Sequence, residues 1–394
     1  MRVALYHPWV YLRGGAERTI LELLTRSRHR WTLFTSRFQP DDTFPEFREL
    51  EVVQVGQVSV RRSLLPVARA CLELALMRED WRRFDALMVS CDGIGSLVTL
   101  RAPTMPLFCL CHTPLKVAYD TETRQRWLTL MRPGLATRAA VRLFVALDRR
   151  LWHRYQRVFC VSREVERRLL RAGLVEPGRT EVVHPGVDME RLRPSGRREP
   201  FFLLPGRIMW TKNIELALRA FLRLKAQLGP VAEEFRLVVA GMVDRKSAPY
   251  LRWLQQSVSG REDVAFVASP TDAELFDLYD RSYAVLFTPP NEDWGIVPLE
   301  AMAFGKPVVA VASGGPLESV ADGETGFLCP PTPDDFAAAM ARLILSREMY
   351  GKMSAAAHRR AGLFTWERFT ERIDSYLDSL EEQRGKGLPV RVAR

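Results

Sequence analysis

Glu292 and Glu300 fall around the start of one short helix. An apolar strand over Ala284–Phe287 runs into Thr288-Pro289-Pro290, a loop follows, and Pro298 supplies a fixed φ suited to the first helical position. Gly305 and Pro307 end the helix, since glycine takes a left-handed cap and proline does not continue it. Glu292 therefore belongs to the loop and Glu300 to the first turn. An acid near a helix N-terminus is favoured by roughly 0.3–1 kcal/mol whatever its function. A capping box for Glu300 requires Ser or Thr three residues earlier, and Val297 stands there. Two acceptor-only carboxylates at a strand end suit a ligand rich in hydroxyls, such as a sugar or a ribose.

Arg207 and Lys212 flank a second strand-to-helix turn, between a strand over 201–204 and a helix over 214–228. The arginine fork and the lysine point charge suit a diphosphate. The plainer reading is two solvated surface cations, but beside a helix N-terminus they are unfavourable with no anion present. Gly14-Gly15 lie between a strand over 2–6 and an amphipathic helix. That arrangement lets backbone N–H groups approach a phosphate, and it serves equally as a turn with no ligand. It is not G-x-G-x-x-G, so a dinucleotide is not implied. His112 follows a strand over 107–110, at the end where ligands bind in open α/β sheets. A structural histidine is the even alternative.

These residues need strands and helices to hold them. Further strands are expected over 31–35, 52–55, 86–89 and 158–161, with helical stretches between several of them. Arg191 to Pro200 lacks periodicity and is rich in Arg, Pro and Gly, which marks a domain boundary. Beyond it the pattern restarts with strands over 201–204, 236–240, 264–267, 284–287 and 308–311, and a short strand within 322–328. Alternating strands and helices predict an α/β protein with mostly parallel sheets. The expected domains are 1–195, 196–365, and a helix with a basic tail over 366–394.

The 394 residues allow two or three domains, and no apolar run is long enough to span a membrane. The first residues resemble a strand more than a signal peptide, which points to the cytoplasm. Six cysteines without a C-x-x-C pair suit buried thiols. No metal cluster and no Asp-x-Asp stand in the sequence, so no metal is expected. The net charge of +10 favours an anionic partner or reflects arginine-rich coding. Residues 126–157 hold eight arginines and one acid, Asp148, among Trp127, Leu128, Leu143 and Trp152, and Arg61 to Val67 adds to them. A basic amphipathic stretch suits an anionic membrane surface, or a core helix with a solvated basic face.

In order, Gly14-Gly15-Ala16-Glu17-Arg18, Cys111-His112-Thr113-Pro114, His184-Pro185-Gly186-Val187-Asp188, Gly206-Arg207 with Lys212-Asn213, Glu292 with Glu300, and Thr365-Trp366-Glu367-Arg368-Phe369 resemble the pattern of retaining glycosyltransferases of family 4. The resemblance spans nearly the whole chain. It implies a GT-B fold, two Rossmann-like domains facing a cleft with the last helix crossing back to the first. It implies a nucleotide-sugar donor as substrate and no cofactor. By the family's pattern Glu292 bonds donor-sugar hydroxyls and Glu300 the ribose. Arg207 and Lys212 hold the diphosphate, helped by backbone at Gly15 beside Gly14. Backbone at Trp294, Gly295 and Ile296 touches sugar and phosphates, and His112 lies at the reacting sugar. Asp293 departs from the pattern and adds a charge. Gly186 replaces a common proline, which is expected only to loosen the turn.

The Gly-Gly-Ala-Glu-Arg and His-Thr-Pro pieces most resemble mannosyltransferases of lipid-linked glycan and lipopolysaccharide pathways. That implies GDP-mannose first and a UDP-sugar second, a glycan or lipid-linked acceptor, peripheral contact with anionic membrane, and no nucleic acid. The alternatives are a sugar-nucleotide epimerase and a non-catalytic basic binding module.

Overall fold

A computed structural model describes residues 1–56, 64–91, 94–102 and 105–386. Arg61, Arg62 and Ser63 of the basic stretch, and the tail beyond 386, lie outside the described residues. The chain divides into two compact units, Met1–His184 with Trp366–Arg394, and Pro185–Thr365.

The first unit is built on seven strands: β1 (Arg2–His7), β2 (Arg30–Thr35), β3 (Val52–Gln54), β4 (Ala86–Cys91), β5 (Leu107–Cys111), β6 (Arg157–Cys160) and β7 (Thr180–Val182). Their order is β3-β2-β1-β4-β5-β6-β7, with every neighbouring pair parallel. β5 is buried along its whole length, as expected of a strand covered on both faces. β7 was not anticipated, because three half-buried residues at a sheet edge carry no periodic signal. The strand order reverses between β1 and β4, which opens a crevice at their carboxyl ends.

The final helix, Trp366–Gly385, belongs to this unit. It buries Trp366, Phe369, Ile373 and Leu377. Arg26 pairs with Glu367, Ser27 Oγ donates to Asp374 at 2.5 Å, and Arg28 meets Asp378 at 2.5 Å.

The second unit carries six strands: β8 (Phe201–Pro205), β9 (Arg236–Gly241), β10 (Val264–Ala268), β11 (Ala284–Phe287), β12 (Val308–Val311) and β13 (Gly326–Cys329). The order is β10-β9-β8-β11-β12-β13, again all parallel. Here the order reverses between β8 and β11. The helix Ile214–Leu228 follows β8 and buries Ile214, Ala217, Phe221 and Leu224, one face of a 3.6-residue repeat.

The segment 185–195 lies with the second unit, so the division falls at His184 and not near 195. Two contacts explain this. Val187 forms a β-bridge with Thr365, and Asp280 accepts from the Ser195 amide at 2.8 Å. A Cβ at Gly186 would stand 2.2 Å from the Thr365 carbonyl carbon. Glycine is required there by backbone contact, which corrects the expectation that it merely loosens a turn.

Candidate functional site

The switch point between β8 and β11 holds a cleft lined among others by Gly206, Arg207, Lys212, Thr288 and Val297. Trp210–Lys212 form one 3-10 turn, and Asn213 adopts a left-handed φ of 50° before the helix Ile214–Leu228. Asparagine tolerates that conformation better than most residues. The Thr288 hydroxyl donates to the Lys212 carbonyl at 2.7 Å and ties the turn to the end of β11. Arg207 is exposed on the same rim.

Lys212 Nζ donates to Glu292 Oε2 at 2.7 Å, with both side chains 24 % exposed. From sequence, Arg207 and Lys212 beside a helix N-terminus are unfavourable unless an anion is present. The structure corrects that for Lys212, whose charge is already balanced by the carboxylate 80 residues on. A pair so exposed is worth only ~0–1 kcal/mol, and a more highly charged anion competes with it.

The loop between β11 and the helix Val297–Ala303 is held by backbone. Asn291 and Gly295 take positive φ values of 52° and 82°. Trp294 is buried, donates from Nε1 to the Pro185 carbonyl at 2.9 Å, and packs 5.4 Å from the Phe364 ring. Its indole therefore anchors the loop. Ser313-Gly314-Gly315, just beyond the end of β12, support the same loop. The Gly315 amide donates to the Glu292 carbonyl at 2.9 Å, and the Asn291 amide to Ser313 Oγ at 3.2 Å. A Cβ at Gly314 would meet the Glu292 carbonyl oxygen at 2.1 Å, and one at Gly315 the Trp294 carbonyl oxygen at 2.0 Å. Paired glycines directly after a strand were the signal for this support.

The helix starts at Val297, one residue before Pro298, behind Ile296 and with no side-chain cap. Glu300 lies in its first turn and accepts from the Tyr279 hydroxyl at 2.7 Å. Tyr279 was not singled out from sequence. The second unit thus brings Arg207, Lys212 and Val297 to one cleft, with Glu292 bonded to Lys212 on a loop that continues through Trp294, Gly295 and Ile296 to Glu300.

In the first unit, His112 Nε2 lies 3.0 Å from Ser90 Oγ, and that hydroxyl lies 3.0 Å from His7 Nδ1. β1, β4 and β5 deliver the three groups to the carboxyl edge. Burial pushes His7 down to about 4, and burial with the neighbouring His7 pushes His112 down to about 3. Both imidazoles are neutral near pH 7 and act as hydrogen-bonding groups. Gly14 caps the helix Gly15–Arg26 in extended backbone, and beyond its chain neighbours and its own helix backbone no described atom lies within 4 Å of a Cβ built on Gly15.

The basic stretch forms the helices Thr121–Met131 and Leu135–Trp152. Leu135 and Leu143 are 84 % and 74 % exposed, among exposed Arg138, Arg142, Arg149 and Arg150. Asp148, the one acid within 126–157, is buried, accepts from Tyr119 at 2.7 Å and Trp152 at 3.1 Å, and is pushed up to about 6 by burial. Among the described residues, His29, Asp378 and Glu381 place potential metal ligands within 4.8 Å of one another, in the ion-pair network of the final helix. No described helix is long and apolar enough to cross a membrane.

Two family models match: Glycosyltransferase Family 4 over residues 13–191, and Glycosyl transferases group 1 over residues 190–360. The chain is 30 % identical to the alpha-1,3/1,6-mannosyltransferase ALG2 of Homo sapiens, over 93 % of each chain. It is 34 % identical to a D-inositol 3-phosphate glycosyltransferase of Geodermatophilus obscurus, over 52 % of this chain and 49 % of that one. Among solved structures, Anabaena HepE in complex with UDP matches with a TM-score of 0.73 at 19 % identity, covering 96 % of this chain and all (100 %) of that one. Sucrose-phosphate synthase from Thermosynechococcus elongatus matches with a TM-score of 0.76 at 18 % identity, covering 97 % and 99 %. At such identities the structural likeness concerns the fold.

Proposed function

The chain belongs to glycosyltransferase family 4, and from that premise we propose that it moves mannose from GDP-mannose to a lipid-linked or polysaccharide acceptor with retention of configuration. The match to an ALG2 mannosyltransferase over nearly the whole of both chains carries this reading. The cleft at the β8/β11 switch point supports it, because that is where a doubly wound sheet takes a nucleotide. A UDP-sugar is the second candidate donor.

Glycosyl transfer passes through an oxocarbenium-like state while negative charge grows on the departing diphosphate. Positive charge fixed beforehand beside that group lowers the barrier most. We assign this to Arg207 and Lys212. Glu292, released by Lys212 when the diphosphate arrives, accepts from sugar hydroxyls, and Glu300 from the ribose. Trp294, Gly295 and Ile296 offer backbone. His112 meets the reacting sugar as a neutral group. Gly15 has neither a strained φ nor a close neighbour to require glycine, which suits a phosphate approaching the helix end beside Gly14. The acceptor oxygen bonds the anomeric carbon on the face the diphosphate leaves, the carbon–phosphate oxygen bond breaks, and the acceptor's proton passes to the leaving phosphate.

The exposed leucines and arginines of Leu135–Trp152 support contact with an anionic membrane, at its cytoplasmic face. Incubation with GDP-mannose and a polyprenyl-linked glycan in vesicles containing anionic lipid tests both parts. An α-mannosylated product is expected, and Leu143→Glu lowers the rate on vesicles by roughly tenfold but not on detergent-dispersed acceptor. No product from either GDP-mannose or UDP-sugars contradicts the reading. Equal rates for the variant on vesicles contradict the membrane contact.

A further inference from the structure

Tyr279 sits near the end of the helix Asp272–Arg281 and is fully buried. That helix is pinned at both ends. Thr271 and Glu274 form a capping box at its start, and Asp280 accepts from the amide of Ser195 at 2.8 Å and from its hydroxyl at 2.5 Å. The Tyr279 ring stacks on Phe304, centroids 5.9 Å apart and planes 13° from parallel. Its hydroxyl donates to Glu300 Oε2 at 2.7 Å. Glu300 lies in the first turn of the helix Val297–Ala303 and Phe304 at its C-cap, so one tyrosine grips that short helix at two points.

We infer that Tyr279 is a positioning residue that aims the Glu300 carboxylate at the ribose hydroxyls of the donor. A carboxylate has about four acceptor directions, and the phenol takes one of them. The rotation of the carboxylate is then set by a buried ring that has no freedom to follow it. Burial and the adjacent Glu300 raise the phenol's pKa well above its ordinary value, so Tyr279 remains a donor at working pH. This rests on the donor-site reading above, and it adds a residue outside the cleft whose effect depends on the ligand's ribose.

The test is calorimetric titration of the full chain and of Tyr279→Phe with GDP, UDP and their 2′,3′-dideoxy analogues. The variant keeps the stacked ring, and circular dichroism checks its fold. Wild type is expected to favour the ribonucleotide over its dideoxy form. Tyr279→Phe should weaken the ribonucleotide by about tenfold, the scale of a hydrogen bond to a charged group, and leave the dideoxy form within about twofold. A variant that keeps the wild-type preference for ribose, or weakens both forms alike, overturns the role of Tyr279 and leaves the donor site standing. Wild type that binds neither nucleotide overturns both.

Discussion

Lys212→Ala should lose roughly a hundred- to a thousandfold in kcat, the cost of removing one preorganised group from a developing negative charge. The expectation comes from the position of Lys212 on the cleft between β8 and β11, where its carbonyl is held by Thr288 and its ammonium by Glu292. Folding should survive. The Lys212–Glu292 pair is 24 % exposed on each side, so its loss costs at most ~1 kcal/mol of stability. Lys212→Arg keeps the charge but replaces a point donor by a planar fork, and should recover only part of the rate. Steady-state transfer beside thermal unfolding separates the two effects. Near-wild-type turnover by a folded Lys212→Ala protein would remove the lysine from the mechanism.

Gly315→Ala should do damage by a different route. The added Cβ would lie 2.0 Å from the Trp294 carbonyl oxygen and 2.4 Å from its Cα. Backbone offers no rotamer through which to escape. Trp294 is itself fixed by Pro185 and Phe364, so the loop has to give way on the Glu292 side. Overpacking of this kind costs ~1–3 kcal/mol in ordinary cores. The melting temperature should fall, and donor affinity by roughly tenfold or more as Glu292 moves away from Lys212. Gly351→Ala is the control. It lies in the helix Arg347–Ala361, and beyond its chain neighbours and its own helix backbone nothing described comes within 4 Å of an added Cβ, so alanine there should stabilise by ~0.5–1 kcal/mol. Calorimetry and melting of both variants check the contrast. Unchanged donor affinity in Gly315→Ala would mean that the glycine pair does not hold the loop.

Much of the fold was legible because its strands are short apolar runs bounded by clear turn signals. β11 and β12 are four buried apolar residues each, and their limits coincide with those expected. The GT-B class followed from motifs spread along the chain. β7 was not legible, since Thr180-Glu181-Val182 is an edge strand held by its neighbour more than by its own pattern. Gly186 misled for a related reason: a departure from a motif says nothing about the backbone that packs against it. The candidate residues could be named from the sequence, but their mutual bonds could not. Nothing local announces that Lys212 pairs with Glu292, that Ser90 lies between His7 and His112, or that Tyr279 reaches Glu300. Those contacts arise only when parallel strands distant in sequence end at one sheet edge.

The nucleotide-sugar site proposed for the second unit lies at the β8/β11 switch point. Titration of the full chain with GDP-mannose, alone and after Lys212→Ala, tests it most directly. Saturable binding of GDP-mannose is expected, displaced by GDP and weakened by at least about tenfold in the variant. Absence of binding to GDP-mannose and to UDP-sugars alike, or binding that Lys212→Ala leaves untouched, would contradict it.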